Sequence, residues 1–167
     1  NFSIEEYFRL VTEKTGYCLG ASLIAAAIIT DADAATRAAL KEYALAIGPL
    51  FQIRDDVIDL TEGKGRERLG SDIREGKRSY LVAHVLSRCT SEERNQLLAI
   101  LDAPRGETGD DDVAWVAGLF HTYGSFESAQ KENERLLARA MTAAALMPLE
   151  LGGLLNDFAD LLLKRRK

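Results

Sequence analysis

Three aspartates, Asp55, Asp56 and Asp59, lie close together in the sequence. On a helix, Asp55 and Asp59 share a face, and Asp56 points about 100° away from Asp55. Like charges at this spacing destabilise an isolated helix by about 0.2 to 0.5 kcal/mol, so a partner that offsets the repulsion is expected. Mg²⁺ is the natural candidate, because it takes hard oxygen ligands and is usually shared between carboxylates and substrate phosphates. The alternative is a solvated acidic edge that pairs with Arg54 or a neighbour.

Two lysines lie where an anion could bind. Lys77 ends the glycine-bearing segment Gly70–Lys77, whose flexible backbone can approach a phosphate. Lys14 precedes Thr15 and Gly16 in a predicted helix of small residues, where an ammonium needs an anion or a route to solvent. Read separately, Lys77 is typical of a surface lysine and Lys14 of a side chain that extends to water. Together with the aspartates, they supply the carboxylates and ammonium groups that a diphosphate site requires.

Three motifs follow one another along the chain: Lys14-Thr15, then Phe51-Gln52 with Asp55-Asp56-x-x-Asp59, then Gly70-x-Asp72-x-x-x-Gly76-Lys77. In order and spacing they resemble the diphosphate-binding Lys-Thr pair, the second aspartate-rich motif and the following loop of the trans-isoprenyl diphosphate synthases, also called polyprenyl synthases. The combination is far more specific than any one motif. The resemblance extends over nearly the whole chain, but it covers only the C-terminal half of the family.

The resemblance implies an all-α helical bundle, the C-terminal part of the class I isoprenoid synthase fold. It implies head-to-tail prenyl transfer, in which an allylic diphosphate loses pyrophosphate and the double bond of isopentenyl diphosphate attacks the resulting carbocation. The departing pyrophosphate can take the proton, so no histidine base is needed. The implied cofactor is Mg²⁺, bound through Asp55, with Asp56 and Asp59 acting directly or through water. The other implied site residues hold diphosphate oxygens or orient nearby groups: Lys14, Thr15, Gln52, Asp72 and Lys77.

The chain departs from the family pattern in two places. Members carry an earlier aspartate-rich motif and an upstream basic cluster, and neither is found in this sequence. Asp110-Asp111-Asp112 is not a substitute, because it lies in a glycine-bearing loop and is expected to cap the helix that follows. The family's Gly-Lys before the loop aspartate is replaced by Arg66-Glu67-Arg68-Leu69, so Lys64, Arg66 or Arg68 is the candidate for a third phosphate-binding cation.

Because the first motif is missing, we expect a fragment that is inactive alone and that either forms a homo-oligomer or binds a chain supplying the N-terminal half. The small-residue face from Gly16 to Ile29 is expected to be covered in that assembly. Two alternatives stay open. The chain could be a non-catalytic partner subunit of a prenyl synthase, or a terpene cyclase of related fold that needs no second diphosphate. The combination of Lys14-Thr15, Lys77 and the aspartates favours the transferase.

Composition narrows the class of protein. The 167 residues are 47% hydrophobic and 28% charged, which is typical of one globular domain over residues 1–167. The net charge of −5 excludes a general attraction to nucleic acid or to anionic membranes. Cys18 and Cys89 make neither a zinc site nor a disulfide framework, which favours a reducing, cytoplasmic location. The longest uncharged stretch, Thr15–Thr30, is too short and too polar to span a bilayer.

The elements that position these residues are predicted to be helices throughout, because long runs rich in Ala, Leu, Glu and Arg show no sustained alternation. Ser3 and Thr90 are predicted caps, and residues 61–76 are predicted to form a loop. His84 and His121 lie on separate predicted helices, which favours structural roles. Six to eight helices are expected, with these bounds: Ser3–Ile29, Ala34–Leu60 with a kink or break at Gly48-Pro49, Ser79–Cys89, Ser91–Leu101, Asp112–Tyr123, Ser125–Met147 and Pro148–Leu163.

Overall fold

The computed structural model describes residues 2–61, 69–104 and 106–164, and over these residues it contains helices and no strand. The prediction of an all-α protein is confirmed. The helices are α1 (Ile4–Val11), a π-helical turn (Thr12–Gly16), α2 (Tyr17–Ile29), α3 (Ala34–Thr61), α4 (Ser71–Arg74), α5 (Tyr80–Leu86), α6 (Ser91–Leu101), α7 (Asp110–Thr122), α8 (Ser125–Ala144) and α9 (Leu149–Lys164). None of these described helices has the length and apolar character needed to cross a membrane.

Local capping explains where several helices begin. The Ser3 hydroxyl accepts the Glu6 N–H at 3.2 Å, as predicted. Thr90 and Glu93 form the predicted capping box: the Thr90 hydroxyl accepts the Glu93 N–H, and the Glu93 carboxylate accepts the Thr90 N–H at 2.9 Å. At the start of α7, the Asp112 carboxylate accepts the Gly109 N–H at 2.8 Å. Each bond satisfies a backbone donor that the first turn of a helix leaves without a partner.

Two helical elements were not predicted, and the described residues therefore hold nine α-helices rather than six to eight. A π-helical turn divides the predicted first helix into α1 and α2. The predicted loop also contains a helix, α4, which begins where Asp59 accepts hydrogen bonds from Ser71 and Asp72. Tertiary bonds of this kind are invisible in local sequence patterns. Residues 62–68, including Lys64, Arg66 and Arg68, lie outside the described residues.

A kink or a break was predicted at Gly48-Pro49, and the break is wrong, because α3 runs from Ala34 to Thr61 with Pro49 inside it. Proline in a helix interior costs about 3 kcal/mol. Gly48, Pro49 and Leu50 are all buried, and a Cβ at Gly48 would stand only 2.5 Å from the Cα of Gly16. We attribute the continuity of α3 to this close helix packing, which offsets the cost of the proline.

The described chain divides into two units. Unit 1 comprises residues 2–7 and 55–130, and unit 2 comprises residues 8–54 and 131–164. In unit 1, all seven residues of α5 are buried, together with Leu97 and Phe120. In unit 2, the core contains Tyr43 of α3 and Leu136 of α8. The assignment of residues 1–167 to a single domain stays a prediction.

Candidate functional site

The three aspartates near the end of α3 lie in different environments. Asp56 and Asp59 are buried, with exposures of 2% and 1%, whereas Asp55 is half-buried. A buried carboxylate must be hydrogen-bonded or paired to be tolerated. Asp56 and Asp59 are therefore expected to be held by neighbours in unit 1.

Asp56 receives hydrogen bonds from three segments of unit 1. Its Oδ2 accepts the Tyr7 hydroxyl and the Tyr80 backbone N–H, both at 2.9 Å, and its Oδ1 accepts the Lys77 ammonium at 2.7 Å. Burial raises the pKa of the Asp56 carboxyl, while Lys77, the Tyr80 N–H and Tyr7 act in the opposite direction. Asp56 thus joins α1, the start of α5 and the loop before α5.

Asp59 holds the segment that leads to Lys77. One carboxylate oxygen accepts the Ser71 hydroxyl, and the other accepts the Asp72 N–H at 3.0 Å. The Asp59 carbonyl accepts the Gly70 N–H, also at 3.0 Å. Asp59 therefore anchors the first turn of α4 through side chain and backbone together.

Lys77 lies between two carboxylates. Its ammonium donates to Asp56 at 2.7 Å and to Asp72 at 2.8 Å, and its side chain remains 31% exposed. Burial alone lowers the pKa of Lys77, but the two carboxylates outweigh burial and raise it well above its ordinary value. The two carboxylates thus favour the charged form of the ammonium and hold it in one place, where it is partly open to solvent. An ammonium has three N–H donors, of which these carboxylates use two.

The loop that carries Lys77 is also fixed by the connection between α6 and α7. Arg74 donates to the Thr108 carbonyl at 2.8 Å and pairs with Asp110 at 2.5 Å. Arg78 pairs with Asp102, also at 2.5 Å. Gly76 has a φ of +66°, and a Cβ there would meet the Leu101 carbonyl oxygen at 2.3 Å. Glycine is needed at this position for both its backbone conformation and its lack of a side chain.

The predicted metal ligands differ in how their oxygens are used. Both carboxylate oxygens of Asp56 and of Asp59 accept protein hydrogen bonds, whereas Asp55 is half-buried near the end of α3. Among the described residues, no three acidic, histidine or cysteine side chains form a group that could enclose a metal ion. Mg²⁺ needs only one or two carboxylates, because waters and phosphate oxygens complete its shell, so a single carboxylate such as that of Asp55 has the chemistry that it requires. Metal binding by all three aspartates stays a prediction.

The structure brings together four of the predicted site residues within unit 1: Asp56, Asp59, Asp72 and Lys77. Asp55 belongs to the same unit. Lys14, Thr15 and Gln52 belong to unit 2, where Lys14 is exposed and Thr15 and Gln52 are half-buried. Lys14 and Thr15 lie in the π-helical turn, an irregularity that often marks functional positions in helices.

Sequence reasoning missed Tyr7 as a partner of Asp56. The capped start of α1 indicates that Tyr7 is helical, but nothing local indicates a bond to Asp56, 49 residues further on. Sequence reasoning also missed the partner of His84. The buried His84 Nδ1 lies 2.9 Å from the hydroxyl of buried Ser125. The pKa of the imidazole is lowered, chiefly by burial and to a smaller extent by the charge of the nearby Arg88. The burial of both groups supports the predicted structural role of His84.

Comparisons with known proteins agree with the motifs. The family model described as polyprenyl synthetase matches residues 1–119. The chain is 44% identical over 101 residues to the short chain isoprenyl diphosphate synthase of Methanocaldococcus jannaschii, covering 59% of this chain and 31% of that protein. It is 30% identical over 165 residues to the geranylfarnesyl diphosphate synthase of Natronomonas pharaonis, covering 96% of this chain and 46% of that protein.

Solved structures show the same likeness over nearly the whole chain. The geranylgeranyl pyrophosphate synthetase of Pyrococcus horikoshii matches 98% of this chain with a TM-score of 0.85 and 30% identity. The geranylgeranyl pyrophosphate synthase of Corynebacterium glutamicum, solved with isoprenyl diphosphate and magnesium, matches 100% of this chain with a TM-score of 0.85 and 26% identity. The matched regions are 50% and 48% of those chains. The predicted fold class is confirmed, and the chain spans about half the length of these structures and less than half of the curated relatives above.

Proposed function

The chain belongs to the polyprenyl synthetase family, and from this premise we propose that it serves in head-to-tail prenyl transfer between an allylic diphosphate and isopentenyl diphosphate. In this reaction the allylic C–O bond breaks and pyrophosphate leaves with the electron pair. A new C–C bond forms between the allylic carbon and the terminal alkene carbon of isopentenyl diphosphate. A proton is then lost, and the departing pyrophosphate is its acceptor.

The observation that carries the proposal is the position of Lys77. Two buried or nearly buried carboxylates hold its charged ammonium at a partly exposed point, in the unit that also contains Asp55. A fixed ammonium of this kind stabilises the oxygens of a leaving diphosphate, because it needs no reorganisation as negative charge develops. Lys77 is therefore assigned to diphosphate binding.

Asp55 is assigned to Mg²⁺, with Asp56 and Asp59 acting directly or through water. When bound, Mg²⁺ neutralises charge on a diphosphate leaving group. In the structure Asp56 and Asp59 chiefly orient the Lys77 loop through the bonds described above. The diphosphate-binding roles of Lys14 and Thr15, and the orienting role of Gln52, rest on their motifs.

A second candidate function, that of a non-catalytic partner subunit, is favoured by one observation: the matched region is about half of each solved relative.

The same observation supports the view that other helices cover the surface of α2. This helix is apolar on all sides, and Ala27 is its only buried residue; Tyr17, Ile28 and Ile29 are exposed, Ile29 by 85%. We assign this surface to helices of the half of the family fold that the chain does not span, supplied by the same gene product or by another chain.

The test is incorporation of radiolabelled isopentenyl diphosphate into product by the natural gene product with Mg²⁺ and an allylic diphosphate. Asp55→Asn is expected to lower turnover by a factor of about 100 or more, since removing one electrostatic element from a catalytic site commonly costs about 3 to 4 kcal/mol. Asp157→Asn, at an exposed position of α9, is the matched control and should retain full turnover.

The outcomes of this test separate the two candidate functions. Turnover that depends on Asp55 supports the transferase. Full turnover by Asp55→Asn would overturn the role of Asp55. The 167-residue chain by itself is expected to be inactive. In a third outcome, another synthase chain turns over only when this chain is added, and the Asp55→Asn variant of this chain works as well as the parent. That outcome would favour the non-catalytic subunit.

A further inference from the structure

We propose, on the basis of the function proposed above, that Tyr7 is a positioning residue for diphosphate binding, because its hydroxyl orients Asp56 and Asp56 in turn places the Lys77 ammonium. Tyr7 lies on α1 and is 2% exposed. Its hydroxyl donates to the Asp56 Oδ2 at 2.9 Å, within unit 1. Its burial means that it acts through Asp56 rather than by touching substrate.

The two carboxylate oxygens of Asp56 have different partners, and this difference explains how Tyr7 can position Lys77. Oδ2 accepts from Tyr7 and from the Tyr80 N–H, and Oδ1 accepts from Lys77. Two donors on one oxygen set the rotation of the carboxylate plane, and this rotation fixes where Oδ1 meets the ammonium. Without the Tyr7 donor, Oδ2 keeps one of these two bonds, so the carboxylate can turn and Lys77 can shift toward Asp72.

The ring of Tyr7 has a separate packing role. It meets the ring of Tyr80 edge to face, with centroids 5.7 Å apart. Tyr7→Phe keeps this ring contact and removes only the hydroxyl. The variant therefore separates orientation of Asp56 from packing of the core.

The closing experiment measures binding of inorganic pyrophosphate in the presence of Mg²⁺ to the natural gene product by calorimetry. The variants are Tyr7→Phe, Lys77→Ala and the double variant. Tyr7→Phe is expected to weaken binding about tenfold, which is about 1.4 kcal/mol of binding free energy, because the Lys77 ammonium is no longer held in the place where it meets the ligand. In the Lys77→Ala background, Tyr7→Phe should change affinity less than about twofold, because its effect acts through Lys77.

Two further variants separate positioning from stability. Tyr43→Phe removes a buried hydroxyl that donates to the Leu155 carbonyl in unit 2, and it should leave pyrophosphate affinity unchanged. Incorporation of p-aminophenylalanine at position 7 retains a ring and an N–H donor, and it should restore most of the affinity lost in Tyr7→Phe. Thermal unfolding of each variant shows whether the fold is retained.

Each remaining outcome counts against a defined claim. If Lys77→Ala leaves affinity unchanged, the proposed diphosphate role of Lys77 fails, and the role of Tyr7 fails with it. If Lys77→Ala weakens binding but Tyr7→Phe does not, or if their effects add, only the positioning role is overturned. Failure of p-aminophenylalanine to restore binding would overturn the positioning role too. Unfolding of Tyr7→Phe would overturn it as well, because the hydroxyl would then be required for folding.

Discussion

At the scale of single residues, adjacent aspartates have different surroundings. Asp56 is buried among three donors, whereas Asp55 is half-buried. Removal of one partner from a buried ion pair leaves the other charge and its donors without compensation. Both residues belong to the same sequence motif, but burial makes the Asp56 carboxylate more important for stability than that of Asp55.

Asp56→Asn is expected to lower the free energy of unfolding by about 2 to 4 kcal/mol. This loss is slightly smaller than the usual cost of breaking a fully buried ion pair, because Lys77 is partly exposed. Asp55→Asn is the control and should change it by less than about 1 kcal/mol. Urea unfolding followed by circular dichroism gives both values. Equal losses in the two variants would show that Asp56 is no more structural than Asp55.

At the scale of elements, close helix packing in unit 2 places the π-helical turn against α3. A Cβ on Gly48 would lie 2.5 Å from the Cα and 2.6 Å from the N of Gly16, and these are backbone atoms that cannot rotate away. The same packing buries Pro49. The pair Gly16 and Gly48 therefore determines how closely the turn that carries Lys14 and Thr15 approaches α3.

Gly48→Ala is expected to destabilise the protein by about 1 to 3 kcal/mol, the usual cost of forcing extra volume into a packed interior. Gly118→Ala, on α7, is the matched control: outside its chain neighbours and the backbone of its own helix, no described atom lies within 4 Å of the added Cβ. Alanine should therefore stabilise the helix by about 0.5 to 1 kcal/mol. Thermal unfolding of both variants measures the difference. Stabilisation by Gly48→Ala would contradict the close packing.

At the scale of the whole molecule, the described chain exposes apolar side chains that a soluble protein usually covers. α2 is hydrophobic around its whole circumference, and Tyr17, Ile28 and Ile29 are exposed. Helices that are hydrophobic on all sides are usually buried. The length of the solved relatives, about twice the matched region, is consistent with such an assembly.

The 167-residue chain is therefore expected to associate, with itself or with a chain that supplies the other half of the family fold. The double variant Ile28→Lys and Ile29→Lys should remain monomeric, because two charges on the apolar surface of α2 oppose burial. Leu149→Lys, at a leucine that is also exposed, is the control and should associate like the parent chain. Light scattering measures the molar mass. If the parent chain stays monomeric by itself and also fails to bind a chain that supplies the other half of the family fold, the assignment of α2 is contradicted.

The sequence by itself determined the helical class, the caps at Ser3 and Thr90, and the motifs that carry the family resemblance. These features depend on residues a few positions apart, whose spacing on a helix follows from its geometry. It also assigned Asp59, Asp72 and Lys77 to one candidate site, and little chain separates them. Local sequence patterns were therefore enough to identify the second aspartate-rich motif and the segment that follows it.

Only the tertiary structure decided how Asp56 is held and that α3 continues through Pro49. The partners of Asp56 include Tyr7, which is 49 residues away, and the neighbour of Gly48 is Gly16. Burial, carboxylate pairing and backbone approach are set by residues distant in sequence, and local propensity contains no information about them. For this reason the motif indicates which groups are candidates for the chemistry, whereas long-range packing decided which of its carboxylates hold the loop.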